Sequence, residues 1–352
     1  MRVPFTYPTD FLRERDFGQK IEAAIDFFKA HFRPLGKALL YIVLPLTLVQ
    51  GIAQGLMMSR MMGMFSGIMQ RGRMGRLDPT ATASTNNEML GLIGSPEYLL
   101  AVLAGLLVFA LLVLTVYGYV VLRMEKADPN EEVTVPEVWQ LVRRRFLGTI
   151  GAFFGLALCV FGTLLGVGML VGVVMTVLIS GLGTGAGAVV GVISVLGLYA
   201  AMFYVMTTLS LFFIIWVRER LGFFATIKRC FSLIWGKWWS TFGLVVVMGL
   251  IVGVLAILVY LLSSLISSPF SLISSPEVEP NRLLAAVAGT INSTALLLLY
   301  PLLLLAIAFQ YFNLVERKEG QSLHALVDQI GGPAPAGYGR LAPTLPEDEG
   351  EY

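Results

Sequence analysis

The sequence predicts an all-α, polytopic, six-span transmembrane helix bundle built from three hairpins, each preceded by an interfacial amphipathic helix. Composition is the first reason. Of 352 residues, 56% are hydrophobic and only 14% charged, and the mean hydropathy is +0.77. A soluble domain carries about 25% charged residues, so this apolar excess is too large for one globular core. The second reason is where the charges fall. Six stretches hold none: 38–58, 98–122, 147–179, 188–217, 241–266 and 283–313. Each reaches the roughly 20 residues that cross a bilayer core as a helix. Backbone groups in lipid must be satisfied within the segment, so such runs are read as helices. The third reason is repetition, taken up below. The composition excludes a disordered chain, a collagen and a disulfide scaffold. A net charge of +2 supplies no drive for phosphate-backbone contacts, so no nucleic-acid partner is expected.

Residues 1–37 are polar enough to argue against a cleaved signal peptide. They are expected to form a cytoplasmic amphipathic interfacial segment. Phe17, Ile21, Ala24, Ile25 and Phe28 share one helical face and predict a helix lying flat on lipid. The six spans then follow within 38–313. Pro45 and Pro301 are expected to bend spans one and six. Residues 57–74, MMSRMMGMFSGIMQRGRM, carry seven methionines and read as a helical extension of span one. Thioether binding of Cu(I) and adaptable partner contact are the alternatives weighed for them. GLGTGAGAVVG, from Gly181 to Gly191, reads as a hairpin turn between spans three and four, because it lacks the soluble strand and acidic residue of a dinucleotide fold. SLISSP occurs at Ser264–Pro269 and again at Ser271–Pro276, and is expected to end span five. Residues 314–330 are expected to form a cytoplasmic helix. The Gly/Pro/Ala-rich tail 331–352 is expected to be disordered.

Lysine and arginine counts give an orientation. With the amino terminus inside, 1–37, 123–146, 218–240 and 314–352 hold 20 basic residues, and the outer segments hold 5. That bias predicts a cytoplasmic (inner) membrane location with both termini cytoplasmic. Trp139, Trp216, Trp235, Trp238 and Trp239 all fall at the inner boundary, where indole rings are best accommodated.

Three segments lead into the odd-numbered spans and look alike: IEAAIDFFKAHFRPLGKALL from Ile21, VPEVWQLVRRRFLGTIGAFF from Val135 and FFATIKRCFSLIWGKWWSTF from Phe223. In the third, Ile227, Phe231, Ile234 and Trp238 share a face. The even-numbered spans end alike in VVLRMEKA from Val120, IIWVRERL from Ile214 and FNLVERKE from Phe312. The pattern reads as three copies of one unit. This layout, with aromatic interfacial segments such as SLIWGKWWSTFGLVVV from Ser232, resembles the six-span membrane domain attached to some bacterial glycerophosphodiester phosphodiesterases. It also resembles related stand-alone bacterial membrane proteins, including ones from Bacteroidota. The resemblance covers residues 17–330. It implies the bundle, but no catalytic residue, because the soluble phosphodiesterase barrel has no counterpart here.

No catalytic, cofactor-binding or metal site is expected. His31 and His324 are the only histidines, lie in separate segments outside any H-E-x-x-H pattern, and read as surface residues. Cys159 and Cys230 read as structural. The spans carry no acid, base or arginine of the kind that ion-coupled transport uses. Their polar groups are Gln50, Gln54, Asn292 and Gln310, with Ser, Thr and Tyr. These four are the candidate cavity residues. Gly151/Gly155, Gly162/Gly166, Gly168/Gly172 and Gly249/Gly253 are the candidates for close helix packing. The leading expectation is a non-enzymatic membrane scaffold or assembly factor. Its partners would be membrane lipids and other membrane or cytoplasmic proteins, held by the interfacial helices and tail. The alternative is a transporter or lipid-handling permease, which a cavity lined by the four amide residues would favour.

Overall fold

A computed structural model of the chain describes residues 5, 8–73, 87, 89–126, 131–273 and 282–320. Every regular element among the described residues is a helix. Short helix α1 (Pro8–Phe11) precedes α2 (Phe17–Ala30), α3 (Phe32–Ile42) and α4 (Leu44–Arg73). Then come α5 (Pro96–Glu125), α6 (Val135–Leu209), α7 (Phe212–Arg218), α8 (Phe223–Ile234), α9 (Trp238–Ile273) and α10 (Arg282–Glu319). Five segments are long and apolar enough to cross a membrane, and a sixth counts if the bent pair α3–α4 is one span. The chain is a multi-pass, all-helical membrane protein.

The expected spans are present, with shifted boundaries. The first, placed at 38–58, divides at Val43. Residues 38–42 belong to α3, which meets α4 at 61°. Pro45 sits one residue inside α4 and cannot donate to the carbonyl a turn earlier, so the ladder weakens there. Pro301 lies inside α10, which nonetheless runs unbroken to Glu319. Residues 314–319 therefore continue span six and do not begin a separate cytoplasmic helix. The remainder of that expected helix, His324 and the tail lie outside the described residues. The backbone of α9 stays helical through Pro269 to Ile273, past the first SLISSP; the end of the second copy is outside the described residues.

Span three and most of span four are the two arms of α6, and α7 completes span four. The helical backbone of α6 continues through the glycine-rich segment where a turn was expected. The arms nevertheless lie side by side. Arg145 Nη1 donates to the Trp216 carbonyl at 2.9 Å, and Phe153 stacks near Phe213 with centroids 6.4 Å apart. Farther out, a Cβ on Gly191 would fall 2.5 Å from the Met175 methyl. A straight helix would hold residues so spaced about 24 Å apart. The reversal therefore lies between Met175 and Gly191, and the pairing is antiparallel. The other hairpins are antiparallel too. Arg60 bonds Glu97 at 2.9 Å across α4 and α5, and Gln310 Nε2 donates to Thr241 Oγ1 at 2.8 Å across α10 and α9.

The tightest seam joins the first span to the last. A Cβ on Gly51 would fall 2.6 Å from Thr290 Cα, and one on Gly55 only 2.0 Å from the Ala285 carbonyl oxygen. One on Gly289 would fall 2.4 Å from the Gly51 oxygen. Two stripes at spacing four, Gly51/Gly55 on α4 and Ala285/Gly289/Ser293 on α10, let the backbones touch. The glycine pairs expected from sequence behave differently. Among them only Gly155 meets a neighbour, the Phe223 ring at 2.9 Å; the others have open space around the missing Cβ.

The core sits in the charged half of the bundle. There α5 from Ala110 to Val121 and α10 from Leu304 to Glu316 are buried on all sides. A helix buried all round must be apolar all round, which is why these runs show little amphipathic pattern. Around them pack α2, α3, the first turns of α6, α7 and α8. The outer arms of α6 are exposed, with Leu158, Met169, Leu170, Ile193 and Leu196 all open.

Gly55→Ala is expected to lower stability by about 1–3 kcal/mol through overpacking, read as a drop in melting temperature in mild detergent. Gly162→Ala, in open space, should leave it unchanged or raise it. Equal effects at the two positions would contradict the seam.

Candidate functional site

Three hollows matter. The first lies at membrane depth between α4, α5 and α10. It has a volume of about 410 Å³ and is lined by Thr47, Gln50 and Gln54 on one side. Val108, Phe109, Leu112, Leu297 and Leu304 form the apolar walls, with Ser293 and Tyr300 at the margin. Thr47, Gln50 and Gln54 share a face of α4 because their spacing of three and four follows the helical period. Ser293 Oγ donates to Gln54 Oε1 at 3.4 Å. The Gln50 amide reaches toward α5, where Gly105 leaves room: a Cβ there would lie 3.5 Å from Gln50 Nε2. The Thr47 hydroxyl is satisfied by the Val43 carbonyl at 3.0 Å. This wall offers amide donors and acceptors inside an apolar chamber, and the lining holds no acid or base other than the Tyr300 phenol.

Of the four candidate cavity residues, the structure brings Gln50 and Gln54 together and separates the others. Asn292 is half-buried and does not line the hollow; its neighbour Ser293 does. Gln310 lies fully buried toward the charged end, where it bonds Thr241. One helical face separates Asn292 from Ser293, and almost five turns separate both from Gln310. No count of polar residues could reveal that. Gly105 and Ser293, which shape the chamber, carried no sequence signal beyond being small.

The second hollow opens at the charged end, with a volume of about 700 Å³. Glu125, Lys126, Glu137, Gln140, Arg144 and Arg220 are among its lining residues. Lys126 bonds Glu131 at 2.8 Å and Glu137 at 3.1 Å. Burial works against the Lys126 charge, but these carboxylates outweigh it and raise its pKa. The Thr134 amide holds Glu137 below the usual carboxylate range, against the pull of burial and with help from Lys126. Glu131 and Glu137 are thus committed to tethering α5 and capping α6, and Glu132 takes part through its main-chain carbonyl, which accepts from Lys126 at 2.8 Å. Trp216 Nε1 is buried here with no partner among the described residues.

The third hollow is smaller, about 140 Å³, between α2, α9 and α10. Lys20 is buried at 3% exposure beside it. Burial pushes the Lys20 ammonium down to about 8; Arg317 and Lys237 add to the shift and Asp16 opposes it. Arg15 is pushed down to about 10, by burial first and by Arg13 second, against Asp10.

His31 is a packing residue, not a surface one. It stacks on Phe27 at 4.4 Å, meets Tyr119 edge-on at 5.9 Å, and joins α2 to α3. Burial lowers its pKa and favours the neutral ring. Cys230 lies on the buried face of α8, and burial pushes its thiol up to about 12. Cys159 is an exposed free thiol on the first arm of α6.

The interfacial helices also depart from expectation. In α2 the buried face is Lys20, Ala23, Ala24 and Phe27, while Phe17 is 40% exposed. In α8 it is Thr226, Cys230, Leu233 and Ile234. Both helices bury a mixed face against protein, with Ala23 and Ala24 of α2 and Thr226 and Cys230 of α8 as its small members. The large apolar residues Ile21, Ile25, Ile227 and Phe231 are left at the half-buried flank.

Comparison with known protein families, with curated proteins and with solved structures finds no match.

The depressed Lys20 pKa has a definite sign in stability. Below about pH 8 the folded state carries the buried charge and is penalised. As pH rises from 8 toward the unfolded value near 10.5, the unfolded chain holds more protons and the penalty disappears. Lys20→Met should therefore melt higher than wild type at pH 7, in the absence of added anions, and the gap should close by about pH 10. A constant gap across that range would contradict the assignment.

Proposed function

We propose that this chain is a non-enzymatic, lipid- or amphiphile-handling membrane protein that uses the chamber between α4, α5 and α10. The observation carrying this reading is the Gln50/Gln54 amide pair facing an apolar hollow. Its volume, about 410 Å³, lies within the range of small-molecule sites. An amide in apolar surroundings costs roughly 1–3 kcal/mol unless it finds a partner. The Gln50 side chain has none among the described residues, so a ligand's polar atom can supply one. The apolar walls suit a hydrocarbon body. Two of the four candidate residues line this chamber, so the permease or lipid-handling alternative is favoured over a pure scaffold. The scaffold reading keeps one observation in its favour: the exposed outer arms of α6 offer a long apolar surface to lipid or to another span.

The three hairpins are read as copies of one unit, in keeping with the resemblance to membrane domains of bacterial phosphodiesterases. The location proposed is a bacterial inner membrane. The charged end, which gathers the Arg15, Arg145, Arg229 and Arg317 segments, faces the cytoplasm. The 20-to-5 basic bias supports that orientation.

Two experiments test these proposals. Purified protein is exposed to a photoreactive fatty acid. Wild type should crosslink within α4, α5 or α10, and Gln50→Leu/Gln54→Leu should require about tenfold more ligand, the ~1.4 kcal/mol that two amide hydrogen bonds can supply. Labelling elsewhere, or unchanged in the double variant, removes the chamber from function. For orientation, single cysteines at Ser66 and Glu132 are placed in a chain with Cys159 and Cys230 changed to Ser. An impermeant maleimide on intact cells should label position 66 and not 132. The reverse pattern inverts the topology.

A further inference from the structure

The 140 Å³ hollow between α2, α9 and α10 is built unlike the other two. Its lining holds four cations, Arg15, Lys20, Lys237 and Arg317, and one acid, Asp16. Ser240 and Asn313 add neutral polar groups. Glu14, outside the lining, approaches Arg317 at 3.5 Å and is 63% exposed. The excess is therefore positive after both acids are counted. Lys20 is the telling residue. Its side chain is 3% exposed, yet its ammonium bonds only the Ser240 hydroxyl, at 3.1 Å. No carboxylate among the described residues pairs with Lys20 or Lys237. Lysine is almost never buried without a counter-charge, and one held beside three further cations needs an anion.

The backbone points the same way. Asp16 and Phe17 are the N-cap and first residue of the 14-residue α2. Lys237, which precedes the first residue of the 36-residue α9, and Ser240, in its first turn, lie on the opposite wall. Two helix amino termini thus converge on one hollow, each with the positive end of its dipole toward it, although that of α2 is already capped by Asp16 and Gln19. Gly236 makes this convergence feasible. Its φ of +80° turns the chain sharply between α8 and α9 and delivers Lys237 to the rim. Arg15 forms the back wall and is held rigidly. Its guanidinium donates to the Phe11 carbonyl at 2.8 Å and to the Asp10 carbonyl, and lies 5.1 Å over the Phe309 ring. Its main-chain amide bonds Asn313 Oδ1 at 2.8 Å.

We propose that this hollow is a binding site for a phosphate-class oxyanion, with Lys20 and Lys237 as its direct ligands and Ser240 as a neutral donor. The volume equals about four or five waters at ~30 Å³ each, which suits one tetrahedral anion. The site lies at the charged end of the membrane helices, so the phosphate can arrive on a lipid headgroup or free from solution. The anion supplies the counter-charge that Lys20 lacks, and so clamps the amino-terminal helix α2 to the last hairpin. This site is separate from the mid-membrane chamber and stands or falls independently of it.

The test uses the full chain in a neutral maltoside detergent, delipidated by repeated exchange, with native mass spectrometry to verify that no phospholipid remains. Melting temperature is followed at pH 7 and constant ionic strength. The two probes are inorganic phosphate and dihexanoyl phosphatidic acid below its micellar concentration. Saturable stabilisation by phosphatidic acid alone identifies a lipid headgroup site; saturable stabilisation by both identifies a pocket open to free phosphate. In either case Lys237→Gln, an exposed position that should fold normally, must raise the half-saturating concentration at least about tenfold. Lys20→Met must abolish the response while melting higher than wild type without ligand, a combination that a merely structural lysine would not give. No saturable response to either probe in delipidated wild type overturns the proposal, and so does an unchanged response in Lys237→Gln.

Discussion

The architecture depends on how closely the first and last membrane spans approach. Gly51, Gly55 and Gly289 bring α4 and α10 to backbone contact, closer than any side chain would permit. Hydrocarbon gives no hydrophobic drive for helices to associate, so contact area and small residues must do so. Closing chain end to chain end at this seam fixes the two walls of the chamber. Gln50 and Gln54 lie on one side of it and Ser293 on the other. The same seam leaves α10 central, so that α5, α9 and α2 can all pack against it.

At the charged end a different chemistry takes over. The interfacial segments do not float on the membrane surface; each is tied to the exit of another hairpin. The first turns of α6 hold α5 through Lys126 with Glu131 and Glu137. Arg229 of α8 bonds both Glu219 after α7 and Glu319 of α10. The amino-terminal segment completes the ring on α10 through Arg15, Asn313 and a cluster of Phe5, Phe11, Phe27, Phe309 and Phe312. Charge pairs and aromatic packing are effective here because the headgroup region supports both. The apolar outer half of the bundle is held chiefly by shape, with Arg60–Glu97 as an ion pair between α4 and α5, and the arms of α6 extend there with little cover.

The two proposed sites divide along the same boundary. The chamber lies where charge is excluded, so it can recognise only apolar bulk and neutral hydrogen bonds. The basic hollow lies where charge is tolerated, yet one of its lysines is buried without a counter-ion. In the larger vestibule the lysine is already paired: Glu131 and Glu137 hold Lys126. Of the three, the small basic hollow alone leaves a buried cation in need of an opposite charge.

The sequence by itself determined the all-helical, multi-pass class and the end at which charge gathers. These depend on composition and run length, which the bilayer thickness converts directly into helices. It also singled out Gln50 and Gln54, which line the chamber, but placed a turn at Gly181–Gly191 where the backbone stays helical. It missed the seam, because glycine pairs at spacing four are frequent in this chain and only neighbours decide which pair meets a backbone. It misjudged the faces of α2 and α8, because amphipathic period shows where large residues lie and not whether lipid or protein covers the opposite side. Asn292 and Gln310 were grouped with Gln50 by type, then parted by rotation and depth along α10. Nothing in the sequence singles out Lys20. Its burial against Ser240, Lys237 and Arg317 arises from residues more than two hundred positions away, and only the packing of α2 onto the last hairpin brought them together.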